Sequence, residues 1–295
     1  MRYDGGHKRH DFVMDSLRPF VTFVPVCPEL EIGLGVPREP IHLVREAGAL
    51  RLVGRTSGRD HTAAMTRYAG RRVRALVGDG LHGYILKRDS PSCGMERVKV
   101  RAAGGGVEKN GRGLFAEALL RAMPHLPVEE EGRLEDPRLR ENFLERVFAC
   151  RRLRTLFSRR WTAGDLVRAH TAEKMLLLAH DRAAYEELGR LVAAPRGTSR
   201  EGLRERYEAI FMAGLRRIAT PARHANVLQH MAGHLHDHLD PGERAELAGL
   251  VDDYRRGIVS RIAPVTLVRH HVMKHHITYL AGQTYLEPHP RELMG

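Results

Sequence analysis

The sequence predicts an α/β domain with a mainly parallel sheet, followed by an all-α domain. Three observations carry this. The first 135 or so residues alternate short apolar runs with Gly/Pro turns and helical patterns. Asp136-Pro137 then breaks the pattern. Beyond it, apolar residues recur at three- and four-residue spacing. At 295 residues the chain is long enough for two domains with real cores, assigned here to 1–135 and 136–295.

The elements follow in order. Phe20-Val21-Thr22-Phe23-Val24-Pro25-Val26 is rich in β-branched and aromatic residues and reads as a buried strand ending at Cys27. Thr62 to Leu76 has helical spacing. Gly83-Tyr84-Ile85-Leu86-Lys87 reads as a second strand, ending just before the loop that holds Cys93. Gly113 to Leu120 reads as a helix, and Leu126 to Glu131 as a last short strand with an acidic break. In such a fold ligands sit at the carboxyl ends of the strands, where both cysteine loops are expected. Pro137 stands in the first turn of a new helix. Glu173 to His180 is strongly apolar, and Tyr207, Ile210, Phe211, Leu215 and Ile218 mark one helix face. Ala194 to Ser199 and Asp240-Pro241-Gly242 read as connectors.

The net charge is +12 with a pI near 10.1, which suits a polyanionic partner better than a neutral metabolite. Arg far outnumbers Lys, so a GC-rich genome accounts for part of the excess. Splitting the chain at residue 140 leaves 24 basic and 18 acidic residues on each side, so the excess is no isolated tail. No apolar run approaches the roughly 20 residues that cross a membrane, and Met1 to Asp15 has no signal-peptide core. Three cysteines argue against a disulfide framework and fit a reducing cytoplasm. No obligate protein partner is evident.

Two of the cysteines occupy tight turns, Pro25-Val26-Cys27-Pro28-Glu29 and Ser90-Pro91-Ser92-Cys93-Gly94. A thiolate there can be a nucleophile, a redox partner or a soft metal ligand; the plainer reading is a buried structural thiol. Glu29 is a candidate acid or base, or a surface carboxylate. Ser90 and Ser92 are candidate hydrogen-bonding groups, or small residues that the turn requires. Cys150 lies in a helical stretch and reads as a buried small residue. Gly104-Gly105-Gly106 lacks the Lys-Ser/Thr of a phosphate loop and reads as a surface turn. The second half holds 12 of the 18 histidines, crowded at 230–238 and 270–276. His230 and His234 have a possible zinc spacing, but RNA contact is the stronger reading. Arg151, Arg152, Arg154, Arg216 and Arg217 offer phosphate partners, and Arg223, His224, Asn226 and Gln229 add hydrogen-bonding groups. Each taken singly also fits a solvated face. Trp161 reads as a packing anchor.

Several longer segments have a family look. These are Arg2-Tyr3-Asp4-Gly5-Gly6-His7-Lys8, Pro25 to Glu29, Gly33-Leu34-Gly35-Val36-Pro37-Arg38, Gly83 to Lys87 and Ser90 to Met95. Together they resemble the thiouracil desulfidase (TudS) family. From about Arg138 the chain resembles the helical domain fused to it in the RudS proteins, which remove sulfur from 4-thiouridine in tRNA. Arg140-Glu141-Asn142-Phe143, Arg223 to His230 and Tyr285 to Pro290 carry that second likeness. The resemblance implies a 4Fe–4S cluster on three cysteines, with the fourth iron open to the substrate's sulfur and water attacking the C–S bond. By that analogy Cys27 and Cys93 are cluster ligands, and Asp4, His7 and Lys8 line the site. The family's third cysteine lies in a Cys-Leu-Leu-Gly stretch ahead of the Arg-Tyr-Asp-Gly-Gly motif, which begins here at residue 2. The chain as written therefore supplies two ligands, through a late start or a true loss. The expected function is tRNA 4-thiouridine desulfidation, with tRNA as partner. The alternatives are desulfidation of free thiouracil and a catalytically inactive RNA-binding protein.

Overall fold

The computed structural model describes residues 4, 6, 9–102, 105–194, 197 and 199–294. The chain divides into two compact units, Met1–Arg140 and Glu141–Gly295. The first is α/β and the second is helical, the order that the sequence predicts.

In the first unit, β1 (Ile41–Glu46) and β2 (Ala49–Gly54) form an antiparallel hairpin. Its two-residue turn has positive φ at both positions, Ala47 at 48° and Gly48 at 80°. That matches the turn twist that two-residue hairpins favour. β4 (Val98–Ala102) pairs parallel to β1 and antiparallel to β5 (Val107–Gly111), giving the order β2-β1-β4-β5. Gly105 and Gly106 lie in the β4–β5 connection, where the Gly106 carbonyl accepts from Ala102 N at 2.8 Å. Gly105 and Gly106 are thus part of a hairpin end, and Gly104 lies outside the described residues. β3 (Tyr84–Leu86) and β6 (Val128–Glu130) form a separate parallel pair.

Two helices cover this unit's core. α2 (Thr62–Gly78) buries Met65, Tyr68, Ala69, Val73 and Leu76, one face at helical spacing. α3 (Leu114–Ala122) buries Phe115, Ala116 and Leu119. Leu43, Leu52, Leu86, Val98 and Val100 from the strands complete the cluster.

The strand expected at Phe20–Val26 is a correction. Arg18–Phe20 is a short 3-10 turn, and residues 21–27 run on without joining a sheet among the described residues. Phe23 and Val24 are 42% and 45% exposed. Pro25 offers no N–H to a ladder, so composition alone misleads here. The acidic run after β6 is a second surprise. Glu129, Glu130 and Glu131 are all buried. Glu129 pairs with Arg133, the Glu130 carboxylate accepts from Met95 N at 2.7 Å, and Glu131 pairs with Lys87 and accepts from Arg88 N at 2.7 Å. These carboxylates pin the backbone on both sides of the Cys93 loop.

The second unit is built from α4 (Pro137–Phe157), α5 (Ala163–His180), α6 (Arg182–Ala193), α7 (Arg200–Leu215), α8 (Pro221–Leu235), α9 (Pro241–Arg255), α10 (Ile262–Lys274) and the short α11 (Thr278–Ala281). Side chains close the helix starts. Thr162 with Asp165 and Asp240 with Glu243 form capping boxes, and Asp181, Ser199 and Thr220 cap α6, α7 and α8. Asp240-Pro241-Gly242, expected as a connector, is therefore the start of α9. The core joins Leu176, Leu177, Tyr207, Phe211, Val227, Leu228 and Val268, with Trp161 and Cys150 buried in it.

Inside this unit lies a chain of paired charges. Glu145 is 1% exposed, with Arg261 Nη1 at 2.9 Å from one oxygen and His180 Nε2 at 2.9 Å from the other. Arg261 also pairs with Glu141, whose carboxylate lies 3.0 Å from His289 Nε2. Burial opposes the charge on Glu145, yet Arg261 and His180 hold its carboxyl far below the usual range.

Candidate active site

The site begins with two turns. Cys27 precedes the single turn α1 (Pro28–Glu31), with Pro28 at its first position, and its N–H is accepted by Glu31 Oε1 at 3.2 Å. The second turn is Ser90 to Gly94, following β3. The Ser90 hydroxyl accepts from Ser92 N at 3.2 Å and Cys93 N at 3.1 Å, curling the chain around the cysteine. The Ser92 carbonyl accepts from Phe115 N and Ala116 N at the start of α3. Gly113 permits that approach: a β-carbon there would stand 2.4 Å from the Ser92 carbonyl carbon and oxygen.

Glu29 joins the two turns. Its Oε1 accepts from Ser92 Oγ at 3.0 Å and lies 3.5 Å from Ser90 Oγ. Its Oε2 accepts from Arg38 Nε at 3.0 Å and Nη2 at 2.5 Å. The side chains of Arg38 and Glu29 are 5% and 14% exposed, so the carboxylate is fixed at both oxygens with little water around it. Residues some 60 positions apart are thus gathered at one point.

Cys93 stands within reach of this carboxylate. Burial pushes its thiol well above the ordinary range, and the negative charge of Glu29 pushes the same way. The phenols of Tyr68 and Tyr84 are also raised, first by burial, with Cys93 adding to both. Glu29, Ser90, Ser92, Cys27 and Cys93, singled out from sequence, therefore share one neighbourhood. Arg38 does not appear among the sequence candidates. Its only signal is its place at the end of the Gly33–Arg38 segment. His7 and Lys8 lie outside the described residues; at Asp4 a carboxylate oxygen accepts from Gly6 N at 3.0 Å, forming the turn that the glycines suggest.

The residues offered as RNA contacts divide. Arg151, Arg216, Arg217, Arg223, Asn226 and Gln229 are exposed on the helical unit. Arg217 pairs with Asp181, and Arg223 Nη1 donates to the His180 carbonyl at 2.7 Å. Arg152 and Arg154 are half-buried, and Arg152 donates to Glu173 and to the Pro288 carbonyl. His224 is a correction. It is buried, its Nδ1 is 3.1 Å from Tyr285 Oη, and burial beside Arg261 pushes its pKa down to about 3. It is a neutral core histidine.

A desulfurase-type domain followed by a second, helical domain is the class that the comparisons define. Residues 1–131 match the family model described as 2-thiouracil desulfurase, and residues 174–290 match the model described as a protein of unknown function, DUF1722. The chain belongs to the family of the "Uncharacterized protein YbgA" of Escherichia coli (strain K12). It is 34% identical to that relative over 155 residues, 52% of this chain and 92% of the relative. No solved structure matches.

Proposed function

We propose that the chain removes sulfur from 4-thiouridine in tRNA, replacing C=S by C=O with water and releasing sulfide, on a 4Fe–4S cluster. The observation that carries the reading is the convergence of Glu29, Ser90 and Ser92 beside Cys93. The donor set fits two cluster positions. A thiol at Cys93 that burial keeps protonated requires a cationic partner to become a thiolate, and an iron is such a partner. Cys27 and Cys93 would hold two of its irons. When bound, the cluster supplies a Lewis-acidic iron for a soft sulfur atom.

The protein's own groups do the rest. Glu29 takes the proton of the attacking water at Oε1, the oxygen that faces the two serines. Arg38 keeps the other oxygen occupied, so the carboxylate presents one face only. The half-buried Ser90 hydroxyl orients the pyrimidine edge, and the buried Ser92 hydroxyl positions Glu29 Oε1. On the helical unit, Arg151, Arg216, Arg217 and Arg223 meet tRNA phosphates, with Asn226 and Gln229 as hydrogen-bonding neighbours.

The test is anaerobic sulfide release from 4-thiouridine tRNA and from free 2-thiouracil across a salt series. Release from tRNA that falls steeply with salt is expected. Equal, salt-insensitive turnover of the free base would make the small molecule the substrate. Binding of tRNA with no sulfide from either would make the chain an RNA-binding protein.

A further inference from the structure

We infer that the helical unit holds a zinc-class divalent cation between the start of α9 and the end of α10, on His271, His275 and Glu243. One ligand atom from each of these residues lies within 4.8 Å of the others. His271 and His275 are four apart on α10, so their rings stack, with centroids 6.2 Å apart and planes at 21°. Glu243 reaches them from the first turn of α9, where its backbone N–H is fixed by the capping box with Asp240.

The second observation is a lack of partners. His271 is 3% exposed, and among the described residues neither of its ring nitrogens has a hydrogen-bond partner. His275 Nε2 is buried and unpartnered as well. Buried polar atoms are nearly always satisfied, so three open imidazole nitrogens beside a carboxylate call for a ligand. Two imidazoles and a carboxylate are a zinc donor set. Water completes the coordination, and exposed His238, its ring centroid 5.8 Å from that of His275, stands beside the site.

Two groups compete with the metal for Glu243. Lys274 Nζ donates to its Oε1 at 2.6 Å, and Asp240 N donates to its Oε2 at 3.1 Å in the capping box. Zinc bonds of about 2.0–2.2 Å bring neighbouring ligand atoms to roughly 3.4 Å, so Oε1 takes the metal as it leaves Lys274 while Oε2 keeps the cap. The metal then ties the first turn of α9 to the last turn of α10. This site is independent of the cysteine site and of the desulfidase reading.

The experiment uses the full chain as C27S/C93S, so that those thiols cannot take the metal, stripped with a chelator and titrated with zinc against a chromophoric competitor. One zinc per chain is expected. His275→Gln, at a half-buried position, should weaken it about 100-fold. Lys274→Met, at an exposed position, should tighten it about tenfold by removing the competing ammonium. Cobalt in place of zinc should give a spectrum free of thiolate charge transfer. No zinc bound at micromolar concentration, or one zinc whose affinity is unmoved by both variants, would overturn the site.

Discussion

Both units bury charge, and they do so to opposite ends. In the helical unit Glu145 is enclosed by Arg261 and His180, and Glu141 by Arg261 and His289. Each charge has a fixed partner of opposite sign, and the carboxyl of Glu145 is driven toward its charged form. In the α/β unit the Cys93 thiol is driven away from its charged form by burial and by the negative charge of Glu29. A buried group that its surroundings stabilise as an ion is scaffolding. Cys93, held neutral beside the fixed Glu29 carboxylate, would need a cationic partner to become a thiolate. The same contrast separates Glu145 from the unpartnered His271 within the helical unit itself.

The largest expected effect falls on the scaffolding side. Arg261→Met leaves Glu145 and Glu141 buried without their shared cation and should cost about 3–5 kcal/mol, read by urea unfolding. A loss under about 1 kcal/mol would mean that the network is not structural. On the site side, Arg38→Met should lower sulfide release about 100-fold in the fraction that stays folded, read alongside urea unfolding, because the Glu29 carboxylate loses one of its two anchors. Unchanged release would remove Arg38 and the fixed carboxylate from the account.

A smaller effect probes the contrast directly. In cluster-free protein carrying C27S and C150S, Glu29→Gln should speed alkylation of Cys93 roughly three- to tenfold at pH 8. The substitution removes a negative charge and leaves the Arg38 cation nearby, and both favour the thiolate. A slower or equal rate would break the link between Glu29 and Cys93. The smallest effect is at Glu39. The Ser57 hydroxyl, then the Ser57 and Thr56 N–H groups, hold its carboxyl down to about 2 against an ordinary 4.5. Because the folded pKa is depressed, its contribution is full above about pH 4.5 and fades as pH falls toward about 2. An NMR titration of Ser57→Ala should find the Glu39 pKa moved back up toward 4.5; an unmoved value would refute the hydroxyl as the main cause.

How much of this was legible in the sequence depends on the kind of signal. The helices at Thr62, Leu114 and Arg200 announce themselves through apolar spacing, and β3 through its β-branched and aromatic run. The β1–β2 hairpin does not, because its turn is Ala47-Gly48, where an Asn-Gly pair would have been the usual mark. Residues 20–26 have strand composition without a partner strand to use it. Burial of Glu129, Glu130 and Glu131 depends on Arg133, Met95 N and Lys87, which no local pattern reveals. Glu29, Ser90, Ser92 and the two cysteines were readable as a set because their turns are short and chemically odd. Arg38 was not, since its role exists only once Glu29 is folded against it. His224 differs from the sequence reading for the converse reason: the polar residues around it, Arg223, Asn226 and Gln229, are exposed, while its own position on α8 faces the core.

The most direct test of the central claim is iron and sulfide measured together. The chain, extended at its N-terminus by a Cys-Leu-Leu-Gly segment, would be reconstituted anaerobically with iron and sulfide and assayed on 4-thiouridine tRNA, alongside the same protein carrying Cys93→Ser. The parent should hold about four irons per chain and release sulfide, and Cys93→Ser should lose both. A Cys93→Ser protein that keeps its iron and its sulfide release would contradict the assignment of this site.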